Sequence, residues 1–494
     1  MLQPPTQVPA AAIAQPLGCV TAAELLSLQR TFPQRFPVLL QSAAAMQGKQ
    51  HDLLLSLPQH CLTLFGDSRL RLPDAIRHYR GHSFLEALDE WWRQESVSTQ
   101  MTELPFCGGW FLYLGYELAA QIEPSLQASL QLMQTRSDEI VAKAVRIPAA
   151  IVRDTETNEA WFVAEGAVAD QYETITGNLQ TIRKHAPTQS ATNRIAVMDL
   201  HEEPEQIFTA AVNRALEYIA AGDVYQANLS RGWTAKLPPS VFAQDLYQQL
   251  CNANPAPFAG IALLSNDDVI ISSSPERLIC IKQGEVSTRP IAGTRPRSSN
   301  QERDEQLMNE LLCNAKEQAE HVMLLDLERN DLGRLCKAGT VQVDEYMTVE
   351  SYAHVHHIVS NVRGELRDDV TPGQAIAAVF PGGTITGCPK VRCMQVIAEL
   401  EGVRRGPYTG SMGYLNRDGS MDLNILIRTL HLQGSALEFR AGAGIVADSI
   451  AAHELEETRA KARGLIRALD KVELGQVELG QVELSVQADT GDTC

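Results

Sequence analysis

Two stretches of the chain space their carboxylates in a way that could hold a metal ion. In Lys316-Glu317-Gln318-Ala319-Glu320-His321 two glutamates stand three apart. In His453-Glu454-Leu455-Glu456-Glu457 the spacing recurs, and Lys461 follows one helical turn later. Residues three or four apart share one face of a helix. Two such faces, if they converge, bring Glu317, Glu320, Glu454 and Glu457 to one place. Uncompensated, those charges would repel strongly in a low-dielectric interior. A hard divalent cation removes the conflict. Mg²⁺ prefers oxygen ligands, keeps some of its waters and can offer positions to an anionic substrate. The same spacing by itself also describes two solvated helix faces.

Other segments carry groups suited to anion binding and proton transfer. Phe380-Pro381-Gly382-Gly383-Thr384-Ile385-Thr386-Gly387-Cys388-Pro389-Lys390 is a glycine-rich loop running into a helix, with Thr386 near the N-cap and a proline in the first turn. Free N–H groups there can bind a carboxylate or phosphate. The spacing is not that of a Walker A loop. A second loop, Gly442-Ala443-Gly444-Ile445-Val446-Ala447-Asp448-Ser449, leads into the helix of Glu454 and Glu457. Glu276 follows an apolar strand at residues 269–273, and His357 begins another that includes residues 360–362. A carboxyl in a semi-enclosed cavity can keep its proton at neutral pH, and imidazole titrates nearby. Taken singly, these segments read equally as a tight turn, a surface glutamate and a hydrogen-bonded core histidine.

The elements that must position these groups follow from periodicity. Residues 207–221 form a helix closed by Gly222, and residues 316–334 and 451–469 form two long amphipathic helices. Strands and helices mix without strict alternation, which favours an α+β fold. Residues 1–16 read as a flexible leader, 17–184 as an amino-terminal region, and 185–202 as a polar linker. Residues 203–470 then form the catalytic region. The repeats of residues 471–494 cannot build a core and read as a disordered tail.

Bulk properties exclude several classes. With 44% hydrophobic residues in 494, the chain can bury a large core. A formal net charge of -18 disfavours nucleic acid and anionic membrane surfaces as partners. There is no apolar run long enough to span a membrane and no signal peptide, so a cytoplasmic location is expected. The 10 cysteines are scattered as in a reduced protein; Cys388 and Cys393, the closest pair, lack the histidines of a zinc site.

Read together, the segments resemble the chorismate-utilising enzyme family. The residues that carry the likeness run in family order from Gly222 to Lys461. They are Gly222-Asp223-Val224-Tyr225-Gln226-Ala227-Asn228-Leu229-Ser230, Ser274-Pro275-Glu276-Arg277, Arg289-Pro290-Ile291-Ala292-Gly293-Thr294-Arg295, and Glu320 through Asp331. They continue with His357 through Val362, the Gly382–Lys390 loop, Tyr414, Met421-Asp422 with Arg428-Thr429, and Gly442 through Lys461. The resemblance implies two large, mainly antiparallel sheets with flanking helices and a central active-site cleft. It implies Mg²⁺ around Glu317, Glu320, Glu454 and Glu457, some directly and some through water. It makes Glu276 the general acid for the C4 hydroxyl of chorismate and His357 the active-site histidine. Gln226, Thr384, Tyr414, Arg428, Gly444 and Lys461 would surround the substrate. A dianion then sits in an acidic protein because Mg²⁺, Arg428, Lys461 and helix-end amides supply local positive potential.

The branch follows from two positions. Gln226 stands where water-adding members are expected to carry a lysine base, and a neutral amide cannot deprotonate water, so ammonia is the expected nucleophile. Tyr225-Gln226-Ala227-Asn228-Leu229, Phe380-Pro381-Gly382-Gly383 and Gly410-Ser411-Met412-Gly413-Tyr414 look like aminodeoxychorismate synthase component I, which serves para-aminobenzoate and folate synthesis. Ala292 departs from that pattern, because many such enzymes have a nucleophilic lysine there; alanine is the residue of anthranilate synthase component I, the near alternative. A glutaminase domain is not recognisable, so a separate glutamine amidotransferase subunit is the expected ammonia source. Leu39-Leu40-Gln41-Ser42 has glutamine in place of the acid of a family tryptophan pocket, which argues against tryptophan feedback. A non-catalytic, ligand-binding regulatory subunit is the remaining reading, and the presence of Glu276 and all four metal glutamates argues against it.

Overall fold

The computed structural model describes residues 12–44, 50–98, 104–131, 136–185, 197–298, 300–351 and 355–469. They build two antiparallel sheets. The first has the strand order Ile13–Cys19, Glu159–Ala164, Ala149–Asp154, His51–Ser56, Val38–Gln41, Phe258–Leu263, Asp268–Ser274, Thr429–Gln433, Ala436–Ile445, Gln226–Lys236, Met198–Glu202. The second runs from Ile291–Pro296 through Val355–Glu365, Glu285–Arg289, Arg277–Lys282, Met421–Asn424 and Ser411–Asn416. It then continues through Gly109–Leu114, Ile140–Ile147 and Cys61–Phe65 to Leu70–Arg71. The α+β fold with two large sheets is therefore as expected.

The central strands are apolar on both faces because both faces are covered. Leu53 and Leu55 point to the layer between the sheets, where they meet Phe106, Phe111, Ile270 and Met412. Leu54, one residue out of phase, points to the opposite face and joins Leu25, Leu28, Ile175, Leu246 and Leu465 from covering helices. The outer face of the second sheet is closed by Phe84–Glu95 and Pro372–Val379 and by part of Ala315–Gly333. Each fully buried leucine contributes roughly 1.5–3 kcal/mol.

The two halves of the chain do not form separate cores. Val38–Gln41 pairs with Phe258–Leu263, and Gly109–Leu114 pairs with Ser411–Asn416, so each sheet draws strands from both sides of residues 185–202. Within that segment, Met198–Glu202 is itself a strand, satisfied by ladder bonds to Gln226–Lys236. Residues 13–16, read as leader, likewise belong to a strand because they pair with Glu159–Ala164. Residues 1–11, 186–196 and 470–494 lie outside the described residues, and with them the tail.

The helices carrying the carboxylates fall where periodicity put them, at Ala315–Gly333 and Ala451–Ala468. The earlier helix is Glu205–Ala220, entered from Pro204 and followed by Gly222 at φ +79°. The strand of His357 is longer than expected, Val355–Glu365, because Glu285–Arg289, Ile291–Pro296 and Gln342–Ser351 all pair with it. Among the described residues no helix is long and apolar enough to cross a membrane.

Candidate active site

The strands Gln226–Lys236 and Ala436–Ile445 set Asn228 opposite Gly444 and Ser230 opposite Gly442. Backbone crosses Gly442 closely, the Leu229 carbonyl lying 2.6 Å from where a Cβ would stand, and the Gln226 side chain lies over Gly444. A Cβ on Gly444 would lie 2.4 Å from Gln226 Nε2; one on Gly442 would lie 2.6 Å from the Tyr408 hydroxyl and 2.8 Å from Asn228 Oδ1. The Gln226 amide donates to Glu320 Oε1 at 2.7 Å, and its own carbonyl oxygen is buried without a partner. Lys461 donates to the Gly442 carbonyl at 3.0 Å and pairs with Glu457 at 2.7 Å.

The two carboxylate-bearing helices therefore converge. Burial pushes the Glu320 carboxyl up, and the charges of Glu317 and Glu457 add to it, while Gln226 and Lys461 oppose. Arg295 reaches Glu317 Oε1 at 3.1 Å. Glu454 is buried one turn before the exposed Glu457. Among the described residues no three acidic, His or Cys groups stand at metal-ligating distance. Arg295, Gln226 and Lys461 each engage one of the carboxylates instead. The donor set is all oxygen, with an unpartnered amide carbonyl beside it, which fits a hard cation such as Mg²⁺.

The charge of Lys461 acts on Glu276 as well as on Glu320. Glu276 follows the strand Asp268–Ser274 and is turned inward by its N–H bond to Ser274 Oγ at 3.2 Å. Its carboxylate oxygen accepts from Thr384 Oγ1 at 2.7 Å. Burial raises its pKa to about 7, Glu328 adds to the rise, and Thr384, the Ile291 N–H and Lys461 oppose it. Arg428, at φ +51°, donates to Asn254 Oδ1 at 3.2 Å and feels the charge of Glu276. His357 does not titrate near neutrality as its residue type suggested. Burial and the Arg428 charge lower it to about 3, so it is a neutral imidazole, bonded to the Gly293 backbone. Ala292 lies between Ile291, which bonds Glu276, and Gly293, which bonds His357. It is buried opposite Ile358.

The glycine loop differs from its expected geometry. Pro389 occupies the N-cap of Lys390–Glu401, and Thr386 instead bonds the Gly382 carbonyl at 2.9 Å. The loop is held from another side: Gly387–Cys388 pairs with Gln226 and Ala227, and Asn228 N–H donates to the Thr386 carbonyl. Cys393 donates to the backbone carbonyl of Gln226 at 2.9 Å, a packing role for that thiol.

Tyr414 is not with the other predicted residues. Register with Phe111 and Asp422 turns it into a second cavity of about 260 Å³, beside Leu40, Gln41, Arg277, Met412 and Asp422. The tyrosine that approaches Gly442 is Tyr408, delivered by a turn after Gly406 at φ +58°. Only that Gly-Pro-Tyr turn hinted at it in the sequence. Among the described residues the one carboxylate lining the second cavity, Asp422, is held by Arg277 Nε and Nη2, each at 2.9 Å. Gln41 is tied to Asp52 and Tyr247. With no free acid among the described lining residues to receive an ammonium group, tryptophan is expected to give no saturable heat in isothermal titration below roughly 1 mM. Micromolar binding would sink this expectation.

The chain is similar to known proteins in sequence and in fold. The chain is 43% identical over 371 residues to the anthranilate synthase component I-like protein of Synechocystis sp., covering 74% of each. It is 40% identical over 401 residues to aminodeoxychorismate synthase component 1 of Bacillus subtilis, covering 79% of this chain and 83% of that one. The crystal structure of anthranilate synthase component I from Streptococcus pneumoniae superposes with a TM-score of 0.70 at 30% identity, covering 85% of this chain and 93% of that one. Residues 41–467 match the sequence pattern of the chorismate binding enzymes, and the chain belongs to that family.

Proposed function

We propose that this chorismate-utilising enzyme aminates its substrate at C4, giving 4-amino-4-deoxychorismate, with ammonia delivered by a separate glutamine amidotransferase subunit. The observation that carries amination is Gln226. A neutral amide, bonded to Glu320, occupies the cleft where a lysine base would activate water. The extended likeness to the Bacillus subtilis aminodeoxychorismate synthase supports the C4 product.

In this reading Glu276, whose carboxyl holds its proton up to about pH 7, gives that proton to the departing C4 hydroxyl, which leaves as water. Thr384 orients that carboxyl through its 2.7 Å bond. Arg428 and Lys461 supply positive charge for the substrate carboxylates, and neutral His357 offers a polar contact without a competing proton. Glu317, Glu320, Glu454 and Glu457 would hold Mg²⁺, which when bound neutralises a substrate carboxylate and stabilises developing charge.

Ala292 favours a second reading, anthranilate formation with loss of pyruvate, because the position has no nucleophile to open C2 first. Incubating the chain with chorismate, Mg²⁺ and ammonium at mildly alkaline pH separates the two. Mass-detected chromatography is expected to show aminodeoxychorismate without pyruvate. Anthranilate with stoichiometric pyruvate would replace the first reading by the second.

A further inference from the structure

A second buried carboxyl stands behind the acid and has no place in the chemistry above. Glu328 lies in the helix Ala315–Gly333, beyond Glu320, and is 5% exposed. It accepts from the Gly383 N–H and from the Thr288 hydroxyl. The next residue of the loop, Thr384, donates to Glu276. Two adjacent loop residues are therefore held by two different buried glutamates. The fit is close: a Cβ on Gly383 would lie 2.4 Å from Leu327 Cδ2 and 3.3 Å from Glu328 Oε1.

The helix does not need an acid here to pack. Leu325 and Leu332 of the same helix, with Ile385 of the loop, form apolar core around it. A side chain of similar size without charge would fill the space and avoid desolvating a carboxylate.

We infer that Glu328 is a positioning residue for the acid: its carboxyl fixes the Gly383–Thr384 corner whose hydroxyl holds Glu276, and the two buried glutamates act on each other across that corner. The inference rests on the acid role proposed for Glu276. Burial lifts both carboxyls to about 7, so near neutrality the pair shares a proton and the charge on either one opposes ionisation of the other. Glu328 is faced by Asp331, which disfavours its charge, and by Lys390, which favours it through the ion pair Lys390–Asp331 at its edge. Arg334 also acts on Asp331. Glu276 is faced by Glu328, Lys461 and Arg428. Burial is the largest cause of the rise in both carboxyls, and the charge of Glu328 is a further cause of the rise in Glu276.

The test compares Glu328→Gln, which keeps shape and hydrogen bonding but loses the charge, with Glu328→Asp, which keeps the charge. The protonated Glu276 carbonyl stretch is followed by infrared pH titration, the band being assigned by its loss in Glu276→Gln. This needs no substrate. In Glu328→Gln the midpoint is expected to fall by about one pH unit, and the alkaline limb of kcat/KM to move with it, a roughly tenfold loss at pH 8. In Glu328→Asp both should stay near the wild-type position. A midpoint that does not move in Glu328→Gln overturns the inference, even if kcat falls, because a merely structural role lowers activity evenly across pH. Full turnover by Glu276→Gln would overturn the acid reading on which it stands, and the infrared midpoint would still report the coupling.

Discussion

Glu276→Gln is expected to lower kcat with chorismate by roughly 10²–10⁴-fold, the usual contribution of a positioned general acid. Glutamine preserves the bond from Thr384 but has no proton to give to the departing hydroxyl. The same change is expected to stabilise the fold at alkaline pH. Burial lifts the Glu276 pKa from 4.5 to about 7. Below about pH 4.5 the carboxyl is protonated whether the chain is folded or not, and it costs nothing. Between that value and about 7 only the folded chain keeps the proton, so stability falls as pH rises. Above 7 the folded chain carries a buried charge, at a cost on the order of 3 kcal/mol. Thermal denaturation should therefore show Glu276→Gln more stable than wild type at pH 8 and equal to it near pH 4. A variant that is less stable at both pH values and retains turnover would remove Glu276 from the chemistry. Opposite signs for activity and stability are the signature of a group kept for function.

Glu320→Gln is expected to reduce turnover by roughly three orders of magnitude or more and to abolish its response to Mg²⁺. Glu320 is the carboxylate at which the cluster meets. Its pKa reflects the charges of Glu317 and Glu457, and its oxygen takes the Gln226 amide. Removing its charge leaves Glu317 paired with Arg295 and Glu457 paired with Lys461, which are already compensated. Wild-type protein should melt at a higher temperature when Mg²⁺ is added, since a ligand of the folded state stabilises it. Glu320→Gln should show no such rise. An unchanged Mg²⁺ response in both activity and melting would dismiss the metal assignment. Gln226 offers an internal control, because it touches Glu320 without carrying charge.

The covering helices were legible because their signal is local. A spacing of three or four residues puts Glu317 with Glu320, and Glu454 with Glu457, on one face whatever surrounds the helix. The alternation of Leu53, Leu54 and Leu55 between two cores was not readable as such, since a continuous apolar run fits several elements. The strand Met198–Glu202 was hidden for a related reason. Its side chains, Met198 and Leu200 among polar neighbours, are mostly exposed, and pairing with Gln226–Lys236 makes it a strand.

By itself, then, the sequence determined the residue types of the chemistry, the helices that bear the carboxylates, the α+β class and the family likeness. Tertiary structure decided which groups meet. Strand register turned Tyr414 away to a second cavity and left Tyr408 beside Gly442. Burial made His357 neutral and Glu276 protonated at the same pH, although free imidazole and carboxyl groups would order the other way. Pairing across the sheets fused two halves that composition separates. Periodicity is a property of neighbours along the chain, whereas desolvation and register depend on what folds over each residue from far away in sequence.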